Sequence, residues 1–177
     1  MSLQPLFQRD PSGSIVVVGF AHNKTHNGEM YHVSGKITGI LDAGVQHLLI
    51  HSGTPEVHLN STKFSFGRGD IDILLYENVV TSADGTLIPT INLNRESANT
   101  STTLTYKDPT ITDQGDLIHT QWFVPTSAGV GQSPGGTDSE GLGEEWILDP
   151  ATKYDFVITN NSGSTIDMWF EFLYYTD

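Results

Sequence analysis

The residue types best suited to chemistry in this chain are its seven histidines and its 21 acidic residues. His22, His26 and His32 lie close together in sequence, and three imidazoles are enough to hold a zinc ion. Histidines four residues apart share a face on a helix, but the Asn, Gly and Thr residues around His22 and His26 predict that no helix forms there. We therefore favour a polar loop leading into a strand over a metal site.

Two further pairs of residues are candidates for shared chemistry. His47 and His51 have the same strand parity, which places their Cα atoms about 13 Å apart at ~3.3 Å per residue, too far to bind one ion. Asp70 and Asp72 lie about 7 Å apart on one strand face, and paired carboxylates of this kind serve glycosidases. Nothing in the sequence marks either carboxylate as desolvated, so we interpret both as solvated strand residues.

Sequence motifs for enzymes and ion sites give no stronger candidate. Residues 137–145 combine carboxylates with glycines, which calcium accepts, but they lack the Asp-x-Asp-x-Asp-Gly spacing of a calcium loop. The chain contains no nucleophile elbow, phosphate-binding loop or dinucleotide fingerprint. It has no cysteine, which excludes disulfides, thiolate zinc sites and cysteine nucleophiles. We predict a protein that is not an enzyme and that holds no cofactor and no metal.

The charge balance excludes several classes of partner. The chain has 8 Lys and Arg against 21 Asp and Glu, a net charge of −13. Binding to nucleic acid or anionic lipid depends on Lys and Arg, so we predict no nucleic-acid partner. No apolar run approaches the ~20 residues of a membrane span, and we predict no membrane partner. The first residues lack the basic-then-apolar pattern of a signal peptide, so we also expect no secretion signal.

Short apolar runs separated by turn residues predict the elements that position these side chains. The cleanest run is 165–175, where large side chains alternate with polar ones as in a strand that faces the core on one side. The core-facing set is Ile166, Met168, Phe170, Phe172 and Tyr174. The sequence Asp84-Gly85 is a hairpin signal because Asp-Gly suits positive φ angles.

These patterns predict an all-β chain with one antiparallel β-sandwich domain of jelly-roll or Greek-key type and about nine or ten strands. The sandwich is expected over residues 14–177, after an N-terminal arm at 1–13. A Gly-rich loop at 126–143 interrupts the strand pattern, and loops of this length are often functional or disordered.

A corner motif and two tryptophans refine this picture. Pro150 and Tyr154 belong to a Leu-x-Pro-x-Thr-x-Tyr segment, which predicts a crossing between sheets with the Tyr154 hydroxyl bound to a backbone group. The alternative is an ordinary loop. Trp122 and Trp169 occupy strand positions whose side chains point away from the apolar face, so we expect both to be exposed. An exposed Trp is either a ligand platform or an interface anchor.

Several short segments occur in a fixed order between residues 35 and 175. They are L-Y-E-N at 75–78, S-A-D-G-T at 82–86, N-L-N-R at 92–95, the Gly-rich loop, and E-W-I-L at 145–148 before the corner. This order resembles that of small β-rich virion proteins of tailed bacteriophages, and in particular head decoration (cement) proteins. The resemblance implies a jelly-roll-like sandwich without catalytic residues that binds the major capsid protein, as a homotrimer, on the outer surface of the head. It also implies synthesis in the cytoplasm of the bacterial host.

This interpretation gives a set of expected interface residues. The partly apolar arm could bind a neighbouring capsid subunit by adding a strand, or it could be a frayed terminus. Arg95 could pair with an acid across a subunit contact, although we favour a local pairing with a carboxylate such as Glu96. The expected interface residues are Leu3, Leu6, Phe7, Arg95, Trp122 and Trp169. The alternative function is a carbohydrate-binding or host-adsorption module of a virion fibre, in which the tryptophans stack on sugar rings.

Overall fold

The computed structural model of the chain describes residues 7–9, 15–17, 20–66, 70–123, 139–140 and 145–176. One helix, α1 (Phe20–Asn27), lies in this part of the chain. The strands are β1 (Phe7–Arg9), β2 (Ile15–Val17), β3 (Met30–Ile40), β4 (Val45–His51), β5 (Val57–Phe66), β6 (Ile71–Glu77), β7 (Val80–Ala83), β8 (Thr86–Ile88), β9 (Ile91–Asn92), β10 (Leu104–Lys107), β11 (Thr110–Asp113), β12 (Asp116–Phe123), β13 (Ser139–Glu140), β14 (Trp146–Leu148), β15 (Lys153–Asn160) and β16 (Ile166–Thr176).

Two six-stranded antiparallel sheets pack face to face. The first sheet has the order β13-β5-β16-β3-β9, with β14 also paired to β5, and the second has the order β12-β6-β15-β4-β10-β8. The chain crosses between the sheets from β3 to β4, β4 to β5, β5 to β6, β14 to β15 and β15 to β16. The rows β3-β16-β5-β14 and β4-β15-β6-β12 therefore form a jelly roll. The predicted all-β, antiparallel, single-domain sandwich is confirmed.

The described residues contain more strand segments than the nine or ten expected. The excess comes mainly from residues 78–115, an insertion between β6 and β12 that contributes β7 to β11. β7 and β11 pair only with each other, and we call them the ribbon. β1 and β2 likewise form their own two-stranded sheet, in which Phe7 pairs with Val17. The predicted boundary at residue 13 therefore falls between two strands that pair with each other.

The interior follows the strand alternation that the sequence predicts. Met168, Phe170 and Phe172 of β16 are buried, as are their core-facing neighbours Ile166 and Tyr174. The Phe156 ring of the second sheet stacks on the Phe172 ring of the first, with 5.2 Å between ring centroids. Aromatic pairs of this kind add roughly 0.5–1.5 kcal/mol to the free energy gained from buried area. The two sheets are thus joined by aromatic contacts at the centre of the sandwich.

The corner motif has the predicted structure. Tyr154 is buried, and its hydroxyl accepts a hydrogen bond of 2.8 Å from the backbone N–H of Asp149. Ala151 takes a φ of 54°, so the chain turns sharply just after Pro150. Burial raises the pKa of Tyr154, which keeps this hydroxyl neutral. The corner directs β15 into the second sheet, where it lies between β4 and β6.

The prediction that no helix forms around His22 and His26 is wrong, because α1 includes both residues. Tertiary contacts outweigh the weak helix propensity of Asn, Thr and His at this position. The Phe20 ring packs edge-on against Tyr175 with 5.0 Å between centroids. The Lys24 ammonium donates to the carbonyl of Thr176 at 3.1 Å.

The end of α1 is also held by side chains from the insertion. Asn94 Nδ2 donates to the carbonyl of His26 at 2.9 Å, and Asn99 Nδ2 donates to that of Asn27 at 3.2 Å. These amides satisfy carbonyls that a helix leaves without partners at its C-terminus. A sequence window around the helix cannot reveal contacts from residues some seventy positions away.

Candidate functional site

The outer faces of the two sheets carry the two exposed tryptophans. Trp169 is 58% exposed on the first sheet, between the buried Phe170 and Met168, and Trp122 is 69% exposed on the second. Phe123, next to Trp122, packs instead against Phe66 in the core, with 5.0 Å between ring centroids. Because the sheets face each other through the core, the two tryptophans lie on opposite sides of the molecule. They therefore cannot belong to one binding site.

Trp169 lies within a set of cross-strand ion pairs. The Lys36 ammonium lies 5.3 Å from the centroid of the Trp169 ring and 2.6 Å from Asp167 Oδ2. Lys63 Nζ lies 3.2 Å from Glu171 Oε1. We call Lys36, Lys63, Asp167, Trp169 and Glu171 the Trp169 surface. Two positive and two negative side chains surround the indole in this set, so the surface is locally less acidic than the chain as a whole.

The carboxylates of the Trp169 surface are held in their charged form. The hydrogen bond from Lys36 lowers the pKa of Asp167. Burial raises the pKa of Glu171, but the hydrogen bond and positive charge of Lys63 outweigh that effect and lower it overall. His32 Nε2 also lies 3.5 Å from Glu171 Oε2. The surface therefore presents fixed, paired charges around an apolar ring, as the rim of a protein interface does.

The second tryptophan has a different environment. Trp122 is paired across β12 and β6 with Asp72, whose Oδ2 accepts a hydrogen bond of 2.8 Å from Asn161 Nδ2. In the next row of the sheet, Thr120 pairs with Leu74. On the neighbouring strand β15, Thr159 pairs with Asp72 and Val157 pairs with Leu74, so both rows extend across three strands. We call Asp72, Leu74, Thr120, Trp122, Val157, Thr159 and Asn161 the Trp122 surface. It combines a large exposed aromatic ring with short polar and apolar side chains on the outer face of the second sheet.

A buried carboxylate lies on this same outer side of the second sheet. Asp155 has a relative exposure of 0% although its strand neighbours Tyr154 and Phe156 point to the opposite face. Its Oδ2 lies 2.6 Å from His47 Nδ1 and accepts a hydrogen bond of 2.9 Å from Gln114 Nε2. Gln114 belongs to the turn between β11 and β12, so this contact joins the ribbon to the sheet.

His47 balances the charge of Asp155. The hydrogen bond with Asp155 raises the pKa of His47, although burial acts in the opposite direction. A second attachment of the ribbon lies nearby, where Lys153 Nζ is 2.5 Å from Asp84 Oδ1 and 2.6 Å from Thr81 Oγ1. Within the described residues, no hydroxyl group hydrogen-bonds to His47. The His47–Asp155 ion pair thus lies within the second sheet, and the ribbon is attached to that sheet by Gln114 and by the Lys153–Asp84 pair.

The acidic candidates from the sequence have other partners. Asp72 binds Asn161 on the Trp122 surface. Glu145, the last residue of the segment considered for calcium, accepts a hydrogen bond from the Tyr175 hydroxyl, and residues 137–138 and 141–144 of that segment lie outside the described residues. Among the residues with described positions, no group of three or more His, Asp or Glu side chains is placed to hold a metal ion.

The other expected interface residues belong to neither of the two tryptophan surfaces. Arg95 is exposed in the turn after β9, and it forms no ion pair with any residue that the structure describes. The local pairing with Glu96 is therefore not seen, because an exposed pair gains little free energy in water. Phe7 opens β1, whereas Leu3 and Leu6 lie outside the described residues.

Sequence reasoning missed two clusters of polar side chains. One is the His47–Asp155–Gln114 contact described above. The other is at the end of β16, where the His58 ring stacks on Tyr175 at 4.4 Å and lies 3.1 Å from Glu56 Oε1. The only sequence signal for the first cluster is that Asp155 occupies an outward-facing position of its strand. Solvated surface residues occupy such positions too, so the signal does not single out a buried carboxylate.

Comparison of the chain with known protein families, curated proteins and solved structures finds no match. In the described part of the chain, no helix is long and apolar enough to cross a membrane. The fold, the two tryptophan surfaces and the order of sequence segments are thus the grounds for a functional proposal.

Proposed function

We propose that this chain is a non-enzymatic virion protein that binds the outer surface of a tailed-bacteriophage head and stabilises it. The observation that carries the proposal is the position of Trp122 and Trp169 on opposite outer faces of a rigid sandwich. Tryptophan is among the residues that contribute most to binding free energy at protein interfaces. Two such residues on opposite faces allow one copy to contact two neighbours at once, which is what bridging capsomers requires.

The charge of the chain supports a position outside the shell. A net charge of −13 repels packaged DNA, whereas the paired charges of the Trp169 surface are compatible with a protein contact. The partner in this proposal is the major capsid protein. The order of sequence segments, which resembles that of head decoration proteins, favours a homotrimer assembled after synthesis in the bacterial cytoplasm.

The mechanism is adhesion. Each bridging copy adds contact area between neighbouring capsomers, and this area must be separated before the shell can open. Specific protein interfaces of this kind bury about 800 Å² on each partner. A small sandwich with two opposite contact faces supplies such an area without any chemical step.

The proposal predicts that the tryptophans contribute directly to head binding. Trp169→Ala and Trp122→Ala are each expected to weaken co-sedimentation of the purified chain with undecorated heads by about 30-fold, the effect of losing roughly 2 kcal/mol at an interface. Ser34→Ala, an exposed position of β3 that pairs with Glu171, is the matched control and is expected to bind as the unchanged protein does. Unchanged binding by both tryptophan variants would contradict the proposal.

The Trp122 surface also favours a second candidate function, the binding of a carbohydrate by a fibre or adsorption module. No Lys or Arg of the described residues lies over the Trp122 ring, whereas Lys36 lies over that of Trp169. The Asp72–Asn161 pair beside Trp122 can exchange hydrogen bonds with sugar hydroxyls. Glycan-array binding that is lost in Trp122→Ala and kept in Trp169→Ala, with no binding to heads, would favour this function over decoration.

A further inference from the structure

The exposed side of α1 carries two histidines one helical turn apart. His22 and His26 are both exposed, and their ring centroids lie 4.3 Å apart with 67° between ring planes. From the sequence, a metal site at these two residues was disfavoured because no helix was expected there. With the helix in place, we propose that His22 and His26 bind a divalent transition-metal ion.

The ring spacing suits a metal chelate. A metal–nitrogen bond of about 2.0–2.1 Å places each ring centroid roughly 3 Å from the ion. Two imidazoles bound at 90° then have centroids roughly 4.5 Å apart, and at a tetrahedral angle roughly 5 Å apart. The observed spacing of 4.3 Å is close to the first value, so the two rings already lie about as near to each other as two imidazole ligands of one ion do.

The helix that carries the pair is fixed on its other side. Phe20 and Lys24 contact Tyr175 and the end of β16, while the histidines lie on the opposite side of the helix. Because the backbone is already ordered, ion binding fixes only two side chains, which lowers its entropic cost. His26 is in the last helical turn, where the helix dipole favours positive charge.

The ligand set determines which ions fit. In the described part of the chain no third His, Asp or Glu joins the pair, so water completes the coordination of the ion. Imidazole nitrogen suits Cu²⁺, Ni²⁺ and Zn²⁺, with copper bound most tightly, whereas Mg²⁺ and Ca²⁺ require oxygen ligands. The site is therefore selective for ions late in the first transition row.

Calorimetric titration of the full chain with CuCl₂, NiCl₂ and MgCl₂ tests this site. We expect one tight Cu²⁺ per chain, weaker binding of Ni²⁺, and no heat from Mg²⁺. His22→Ala and His26→Ala are each expected to lower the Ni²⁺ affinity at least about tenfold, because each leaves a single ligand. Asn23→Ala, an exposed neighbour on the same helix, is the matched control and is expected to keep the affinity.

A second variant separates the helical spacing from the number of histidines. His22→Ala combined with Ala21→His keeps seven histidines but places the pair five residues apart, on different sides of the helix. It is expected to bind Ni²⁺ as weakly as His22→Ala does. Binding at full affinity by this variant, or by both single-histidine variants, would overturn the proposal and assign the ion to the other histidines.

Discussion

Replacing His47 with alanine is expected to lower the free energy of unfolding by about 2–3 kcal/mol at pH 6. The substitution leaves the fully buried carboxylate of Asp155 without the group that balances its charge. Removing one partner of a buried ion pair typically destabilises by about 3–5 kcal/mol, and the partial exposure of His47 reduces that effect. Urea unfolding at pH 6 measures the difference.

The same contact makes the effect depend on pH. The pKa of His47 in the folded chain is raised above its ordinary value of 6.5, mainly by the hydrogen bond with Asp155. The stabilisation is therefore complete below pH 6.5 and is lost as the pH rises through the higher pKa of the folded state. The difference between the unchanged protein and His47→Ala should narrow between pH 6 and pH 9.

His51→Ala, on the same strand and of the same parity, is the control for the His47 substitution. We expect it to be milder at pH 6, because His51 is not bonded to the buried Asp155. A His47→Ala variant as stable as the unchanged protein at pH 6, or a difference that widens as the pH rises, would show that His47 does not stabilise the buried carboxylate of Asp155.

Phe172→Ala is expected to destabilise the sandwich by about 3–5 kcal/mol, which is the usual effect of removing a buried aromatic side chain. Phe172 has a relative exposure of 0% and contacts Phe156 and Phe64, so it joins both sheets. Unfolding by chemical denaturant measures this value. The dependence of the unfolding free energy on denaturant concentration is fitted separately for each variant, because a changed slope reports a change in the unfolded or folded ensemble.

Trp169→Ala is the matched control for Phe172→Ala, because it removes an aromatic ring from the outer side of the same strand. We expect it to change the free energy of unfolding by less than about 1 kcal/mol. Similar losses in the two variants would mean that the outer face also contributes to the fold. The expected contrast separates the residues that hold the sandwich together from those available for binding.

The sequence is most informative where local spacing determines the structure. The alternation in β16 correctly predicted the burial of its five core-facing side chains, because a two-residue period leaves one face for the core, but it did not predict that Tyr175 on the other parity is buried as well. The corner at Tyr154 was predicted because Pro150 restricts the backbone and the tyrosine follows at a fixed distance. The exposure of Trp122 and Trp169 followed from the same parity argument.

The sequence is least informative where distant segments meet. α1 was missed because Tyr175 and Asn94, which hold it, are far away along the chain. Asp155 has the parity of a solvated residue, yet it is buried, with His47 and Gln114 of the insertion both bonded to its carboxylate. Parity indicates the side of a sheet on which a residue lies, but it does not indicate what covers that side.

We propose that the outer faces of this sandwich hold neighbouring proteins of a phage head together. Cryo-electron microscopy of intact phage particles, prepared with and without the chain, is the measurement that decides it. We expect density for the sandwich on the outside of the head, with Trp122 and Trp169 each buried against a neighbouring subunit. Heads without this density, or density in which both tryptophans face solvent, would contradict the claim.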